Sequence, residues 1–293
     1  MNNLRPAQSI RRKSKNKRRF PRLEKGSFLF SKPWKPRAIS RHSWFIPPVL
    51  QQTFCHLPGI GTTTERRLWR EGIRDWPTLI TEGHRLLHAG RVDAVCRVAE
   101  ETIARFERRD WTWFDATLPS AVKWRAFGEL GQHALYVDIE TDGGFGAEAI
   151  TVIGAFDGVA THMFVADRNL EAARELIEAH PLVVTFNGQA FDMPLIHERF
   201  RHNLFNHIHV DLRFPLRKLG LHGGLKLIEQ IVGLERALQT QGLDGWAAVR
   251  LWQEWQAGSA AALDLLLAYN REDVVNLAPL MRLAFDRLKS SSP

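Results

Sequence analysis

The sequence predicts an α/β layered protein preceded by a helical region and a basic arm. Three features carry that expectation. Strand-like and helix-like stretches alternate from Ala134 onward, apolar residues recur at helical steps between about 49 and 108, and basic residues crowd the first 41 positions. A length of 293 residues suggests about two domains and a sizeable core. Hydrophobic residues make up 44% and charged residues 25%, which excludes a wholly disordered or fibrous chain. Cys55 and Cys96 are too few for a disulfide framework or a cysteine-based zinc site, and they point to a reducing compartment. No apolar run approaches the roughly 18–20 residues that span a bilayer. The basic N terminus has no apolar stretch behind it of the kind a secretory signal carries. A soluble, cytoplasmic protein without membrane association is therefore expected.

The charge is uneven. Residues 1–41 hold 14 Lys and Arg and one acid, Glu24, so that within a total of +8 the rest of the chain is −5. A run such as Arg11 to Arg19 repels itself and has little to bury, so 1–41 is expected to be a disordered arm. Such an arm attracts nucleic acid through counterion release, without sequence preference. Ser40 to Pro48 reads as a linker in which Trp44 and Phe45 could dock on the body.

Residues 42–115 read as a small all-α domain. Leu68, Trp69, Ile73, Trp76, Leu79 and Ile80 recur every three to four positions, and Val92, Val95, Val98, Ile103 and Phe106 mark a long amphipathic stretch. Ahead of these, Gly59 and Gly61 flank Ile60, and Thr62 with Glu65 has the spacing of a capping box that starts a helix. Glycines before a helix start leave backbone N–H groups open to an anion. This stretch resembles the helix-hairpin-helix motif, which grips the nucleic-acid backbone. The resemblance implies contacts from Gly59, Gly61, Thr62 and Arg66, with Arg67 and Arg70 adding charge nearby.

From Ala134 the pattern changes period. Strands are expected at Ala134–Glu140, Ala149–Phe156, Ala160–Val165, Leu182–Phe186 and Ile208–Asp211, with helices at Leu170–Ala179 and Phe191–Phe200 and mostly helix to about Leu288. Acids fall in three places. Asp138 and Glu140 stand two apart on a strand and share a face, while Val137 and Ile139 point the other way. Two adjacent carboxylates repel unless a cation lies between them, and a divalent metal with oxygen ligands resolves that repulsion. The strand ending in Asn187-Gly188 delivers Asn187 and Asp192 to the edge where open α/β sheets place ligands. In the last helix Leu263, Leu266, Asn270, Asp273, Val274 and Leu277 form one stripe. Asp273 then lies on an apolar face and needs a partner, with Tyr269 one turn before it. Glu272 is expected to point to solvent.

Asp138-x-Glu140, Asn187-x-x-x-Phe191-Asp192 and Tyr269-x-x-x-Asp273 resemble, in order and spacing, the three motifs of the DEDD exonuclease superfamily, tyrosine subtype. Within it the chain is most similar to YprB-type predicted exonucleases and to the proofreading domains of family B polymerases. The resemblance covers about 133–285. It implies a ribonuclease-H-like domain over 130–288, with a mixed sheet flanked by helices. It further implies two Mg²⁺ or Mn²⁺ ions held by Asp138, Glu140, Asp192 and Asp273, with Glu140 bearing on the attacking water and Tyr269 orienting it. The expected activity is 3′–5′ exonuclease hydrolysis of DNA or RNA, from a single strand or a 3′ end. A non-catalytic nucleic-acid-binding protein on the same fold, or an endonuclease, are the alternatives.

Other side chains carry weaker signals. Asp211 is expected to support the site from outside, and His207 and His209 to lie in a polar surface patch rather than bind zinc. Trp252 and Trp255 are expected in the core rather than as base platforms. Lys226 and Arg217 are candidates for phosphate contact, and Gly220–Gly224 is a turn without the signature of a phosphate loop.

Overall fold

The structure, a computed structural model, describes residues 49–201 and 205–290. The basic arm and the linker that follows it lie outside the described residues. All described residues fall in one compact unit.

Among the described residues, five α-helices precede the sheet: α1 (Thr62–Arg70), α2 (Trp76–Glu82), α3 (Ala89–Glu107), α4 (Trp111–Thr117) and the short α5 (Phe127–Leu130). Asp75 and Asp110 start α2 and α4 by accepting hydrogen bonds from the backbone N–H groups of Thr78 (2.8 Å) and Trp113 (3.1 Å). The expected capping box of α1 does not form. Gly61 is the N-cap and makes no side-chain cap, and Thr62 is already the first helical residue. Glu65 instead turns inward, accepting from Phe54 N at 2.7 Å and pairing with both terminal nitrogens of Arg125 at 2.9 Å. Both partners are buried. A long-range ion pair therefore displaced the local cap, because the carboxylate would otherwise be buried unpaired.

The sheet then follows in the order β3-β2-β1-β4-β5, from β1 (Ala134–Thr141), β2 (Ile150–Phe156), β3 (Thr161–Val165), β4 (Leu182–Thr185) and β5 (Ile208–Asp211). β1–β2 and β2–β3 are antiparallel, while β1–β4 and β4–β5 are parallel, so the sheet is mixed as expected. β2, β4 and β5 are buried almost throughout, consistent with helices on both faces. Leu135, Val137 and Ile139 pack toward α6 (Ala173–Glu178) and α7 (Asp192–Phe200). Beyond β5 come α8 (Arg213–Lys218), α9 (Leu225–Val232), α10 (Gly245–Gln256) and α11 (Ala260–Ser290).

α11 crosses the other face. Its first half packs with α10 against β2 and β3, and its second half, Leu277 to Leu288, joins the pre-sheet helices in the largest hydrophobic cluster. Trp124 and Phe127 meet Phe285 there, with ring centroids 5.8 and 5.4 Å apart. The region before β1 thus contributes to the core that seats α11. Trp252 is buried in the α10 cluster, as expected, and Trp255 is half-buried beneath Arg168. His207 and His209 are buried rather than set in a surface patch. His209 contacts Thr185 Oγ1 at 2.8 Å, and burial lowers the pKa of both rings, that of His207 to about 4. Burial thus disfavours the charged form of both rings, which pack within the fold.

Candidate active site

β1 supplies the first two acids. Its period of two places Tyr136, Asp138 and Glu140 on the face toward α11, and the strand breaks register with β2 between Glu140 and Thr141. Opposite Asp138 stands Gly154 of β2. A Cβ on Gly154 would lie 1.8 Å from Asn270 Oδ1, so the missing side chain lets α11 approach the sheet. Asn270 Nδ2 then donates to Asp138 Oδ2 at 2.9 Å and to Glu140 Oε1 at 3.3 Å.

The third acid arrives where β4 stops. β4 pairs with β1 only as far as Tyr136, and Asp192, the first residue of α7, accepts from the free Ile139 N–H at 3.2 Å. The preceding turn is pinned by Asp211, which accepts from the backbone N–H groups of Asn187 (2.8 Å), Gln189 (3.2 Å) and Arg213 (3.0 Å). Asn187 adopts φ +69°, and its side-chain oxygen takes a hydrogen bond from Arg213. α11 contributes Tyr269 and Asp273, both buried.

One oxygen each from Asp138, Glu140 and Asp273 lies within 4.8 Å of the others. Asp192 stands outside that set of three but lines the same cleft, with Asn187 and Tyr269. The cleft measures about 660 Å³ and is also lined by Phe191, Arg213, Arg217 and His222. Gly59, Gly61, Thr62 and Arg66 do not reach it. Gly59, at φ +69°, lines a separate hollow of about 140 Å³ with Thr64, Arg67, His88 and Arg91.

Burial dominates the electrostatics. It raises the pKa of Asp138, reinforced by Asp273, Asp192 and Glu140. Glu140 is pushed up to about 8 by burial and then by Asp273, and Asp192 to about 7 by burial, with Asp211 and Asp273 adding to it. Asp273 is raised by burial against the opposing pull of Arg236 and Lys226. Buried carboxylates crowded in this way call for a cation, and hard oxygen donors suit a hard divalent ion. The donor set therefore fits a metal.

Several contributors gave little sequence signal. Lys226 donates to the Tyr269 hydroxyl oxygen and sits 4.4 Å from the ring centroid, so it supports the tyrosine. Arg236 contacts Asp273, and Glu229 is buried behind it. Glu272 does not point to solvent: it accepts from Ala237 N at 2.9 Å and from the Thr240 hydroxyl, tying down the loop after α9. Asn270 was visible as a polar residue in the apolar stripe, but its partners Asp138 and Glu140 lie 132 and 130 residues away.

No curated protein matches the chain. Among solved structures, the family B DNA polymerase from the hyperthermophilic archaeon Pyrobaculum calidifontis is similar at 17% identity and a TM-score of 0.43, covering 54% of this chain and 25% of the polymerase. The chain thus spans about a quarter of that polymerase's length. Residues 135–285 match the RNase_H superfamily, an interval that opens on β1, closes in α11 and takes in all four acids. With more than half of its length in that match, a mixed sheet between helices and an acid cluster that fits a nuclease, the chain belongs to the RNase_H superfamily.

Proposed function

We propose that the protein is a metal-dependent 3′–5′ exonuclease of the DEDD type, tyrosine subtype. The observation that carries this reading is the convergence of Asp138, Glu140 and Asp273, from two distant stretches of chain, within 4.8 Å in a cleft that Asp192 also lines. Asp138, Glu140, Asp192 and Asp273 would hold two Mg²⁺ or Mn²⁺ ions. Such a pair, when bound, stabilises charge on the attacking and leaving oxygens of a displacement at phosphorus.

The chain's own groups do the rest. Glu140 would bear on the attacking water, accepting its proton once the cations hold the carboxylate ionised. Lys226 donates to the Tyr269 oxygen, which leaves the phenol hydrogen free to orient that water. Arg213 and Arg217 line the cleft, where they would meet the phosphates, and Asn187, held by Arg213, would face the terminal nucleotide. The product is a 5′-nucleotide.

Affinity is divided along the chain. The catalytic domain is 130–288. The helical domain 42–115 supplies a helix-hairpin-helix grip through Gly59, Gly61, Thr62 and Arg66, and the arm 1–41 supplies sequence-independent attraction. Supporting the grip, α1 begins at Thr62 directly after the two glycines. End-labelled single strands of DNA and RNA, incubated with Mg²⁺ or Mn²⁺, test the reading. Mononucleotides released from the 3′ end are expected. Internal fragments would indicate an endonuclease, and binding without products a non-catalytic protein.

A further inference from the structure

The two acids of β1 share the Asn270 amide, and Asp192 is held by a backbone N–H. Among the described residues, Asp273 alone of the four has a cationic side chain in hydrogen-bond contact, Arg236 Nη2. That guanidinium is itself fixed. It forms a two-point fork with buried Glu229, Nε to Oε2 at 2.6 Å and Nη2 to Oε1 at 2.8 Å. Glu229 in turn accepts from Asn276 Nδ2 at 3.0 Å. Asn276 and Asp273 stand three apart on α11, so the chain Asn276–Glu229–Arg236–Asp273 closes on the helix where it began. Glu272, their neighbour, fastens the loop carrying Arg236 through Ala237 N and the Thr240 hydroxyl. Arg236 does not line the cleft; it stands behind Asp273.

From this closed ring, and resting on the metal-dependent reading above, we infer that Arg236 is a positioning residue for the metal site. Its fork on Glu229 holds the Asp273 carboxylate in one rotamer, occupying one oxygen and presenting the other to the cations. The planar fork is what does this: it satisfies Glu229 at two points and still has an N–H for Asp273. A lysine in its place is a single point charge and cannot span both acids with fixed geometry. Partners of this kind behind a metal-binding group fix its orientation and so its affinity for the ion.

The test is Mn²⁺ affinity by calorimetry on the full chain, read beside hydrolysis of the p-nitrophenyl ester of thymidine 5′-monophosphate over a range of Mn²⁺ concentrations. Arg236→Lys and Glu229→Gln remove the fork in two ways, keeping the positive charge in both, so the result does not depend on Arg236→Gln folding with an unpaired Glu229. Both variants should bind Mn²⁺ about 10- to 100-fold more weakly, a size typical of losing such a partner. Their hydrolysis rate should approach the wild-type maximum at high Mn²⁺. Folded variants with unchanged or tighter Mn²⁺ binding would overturn the inference, as would a lost maximal rate at wild-type affinity. Because affinity is read directly, the role of Arg236 is tested whether or not the protein degrades nucleic acid from a 3′ end.

Discussion

Asn270 bridges Asp138 and Glu140 with one amide group, and Lys226 steadies Tyr269. Asp138 and Glu140 therefore have neutral company and retain oxygen capacity for a cation, whereas Asp273 is met by the Arg236 guanidinium at one oxygen. Asp138→Asn should abolish hydrolysis, a loss of at least about 10³-fold, because it removes a ligand for the catalytic charge. Circular dichroism should show a folded protein. Tyr269→Phe should slow the reaction by about 10- to 100-fold, on the order of one lost hydrogen bond to the water, with Mn²⁺ affinity retained. An unchanged rate in initial-velocity assays would remove the tyrosine from the mechanism. At this scale the sequence was legible wherever spacing fixes direction. Period two put Asp138 and Glu140 on one face, and a helical step put Tyr269 beside Asp273. Arg236 was not legible, because its contact with Asp273 spans 37 residues and depends on how the loop after α9 is tied to Glu272.

Elements meet at close quarters where β2 and α11 touch. Gly154 gives up a side chain so that Asn270 can reach the acids from above. Gly154→Ala should cost about 1–3 kcal/mol of stability through overpacking. Since the clash falls on Asn270 itself, the variant should also lose Mn²⁺ affinity, and denaturant melts with a parallel metal titration would check both. An alanine accepted without loss of either would contradict the tight approach of α11. The five strands from Ala134 to Asp211 and the helices between them were readable from alternating period, β5 to the residue, whereas beyond Asp211 only a mostly helical character was legible and not the four separate helices. Glu65 was misread as half of a capping box. Its partner Arg125 lies 60 residues further on, and a local pattern holds no information about a buried ion pair at that distance.

For the whole molecule, the acid cluster sets a pH dependence. Glu140 and Asp192 have folded-state pKa values raised to about 8 and about 7, as does half-buried Glu129, which accepts from Leu50 N and is raised to about 7 by desolvation. An acid raised in this direction holds its proton in the folded state after the unfolded chain has released it. Stability from these groups is thus complete below about pH 4 and is lost as the pH rises toward 8. A divalent cation at the cluster opposes that loss, so Mg²⁺ or Mn²⁺ should raise the melting temperature more at pH 8 than at pH 6. Thermal melts with and without chelator decide it, and equal shifts at both pH values would argue against binding at the carboxylates. The seating of α11 on the pre-sheet helices was invisible in the sequence, which reads as two separate periodic regions; only the fold reveals the common core of Trp124, Phe127 and Phe285. Deleting 1–41 removes 14 basic residues and should weaken nucleic-acid binding while flattening its dependence on salt. Equal slopes in fluorescence-anisotropy titrations would exclude the arm from binding.

The direct test of the central claim is a calorimetric titration of Mn²⁺ into the wild-type chain and into a variant carrying both Asp138→Asn and Asp273→Asn. The wild type should bind Mn²⁺ with a stoichiometry approaching two, and the double variant should lose that heat while keeping its fold. Equal binding by the two proteins, or none by the wild type, would contradict a cation site built from the distant acids of β1 and α11.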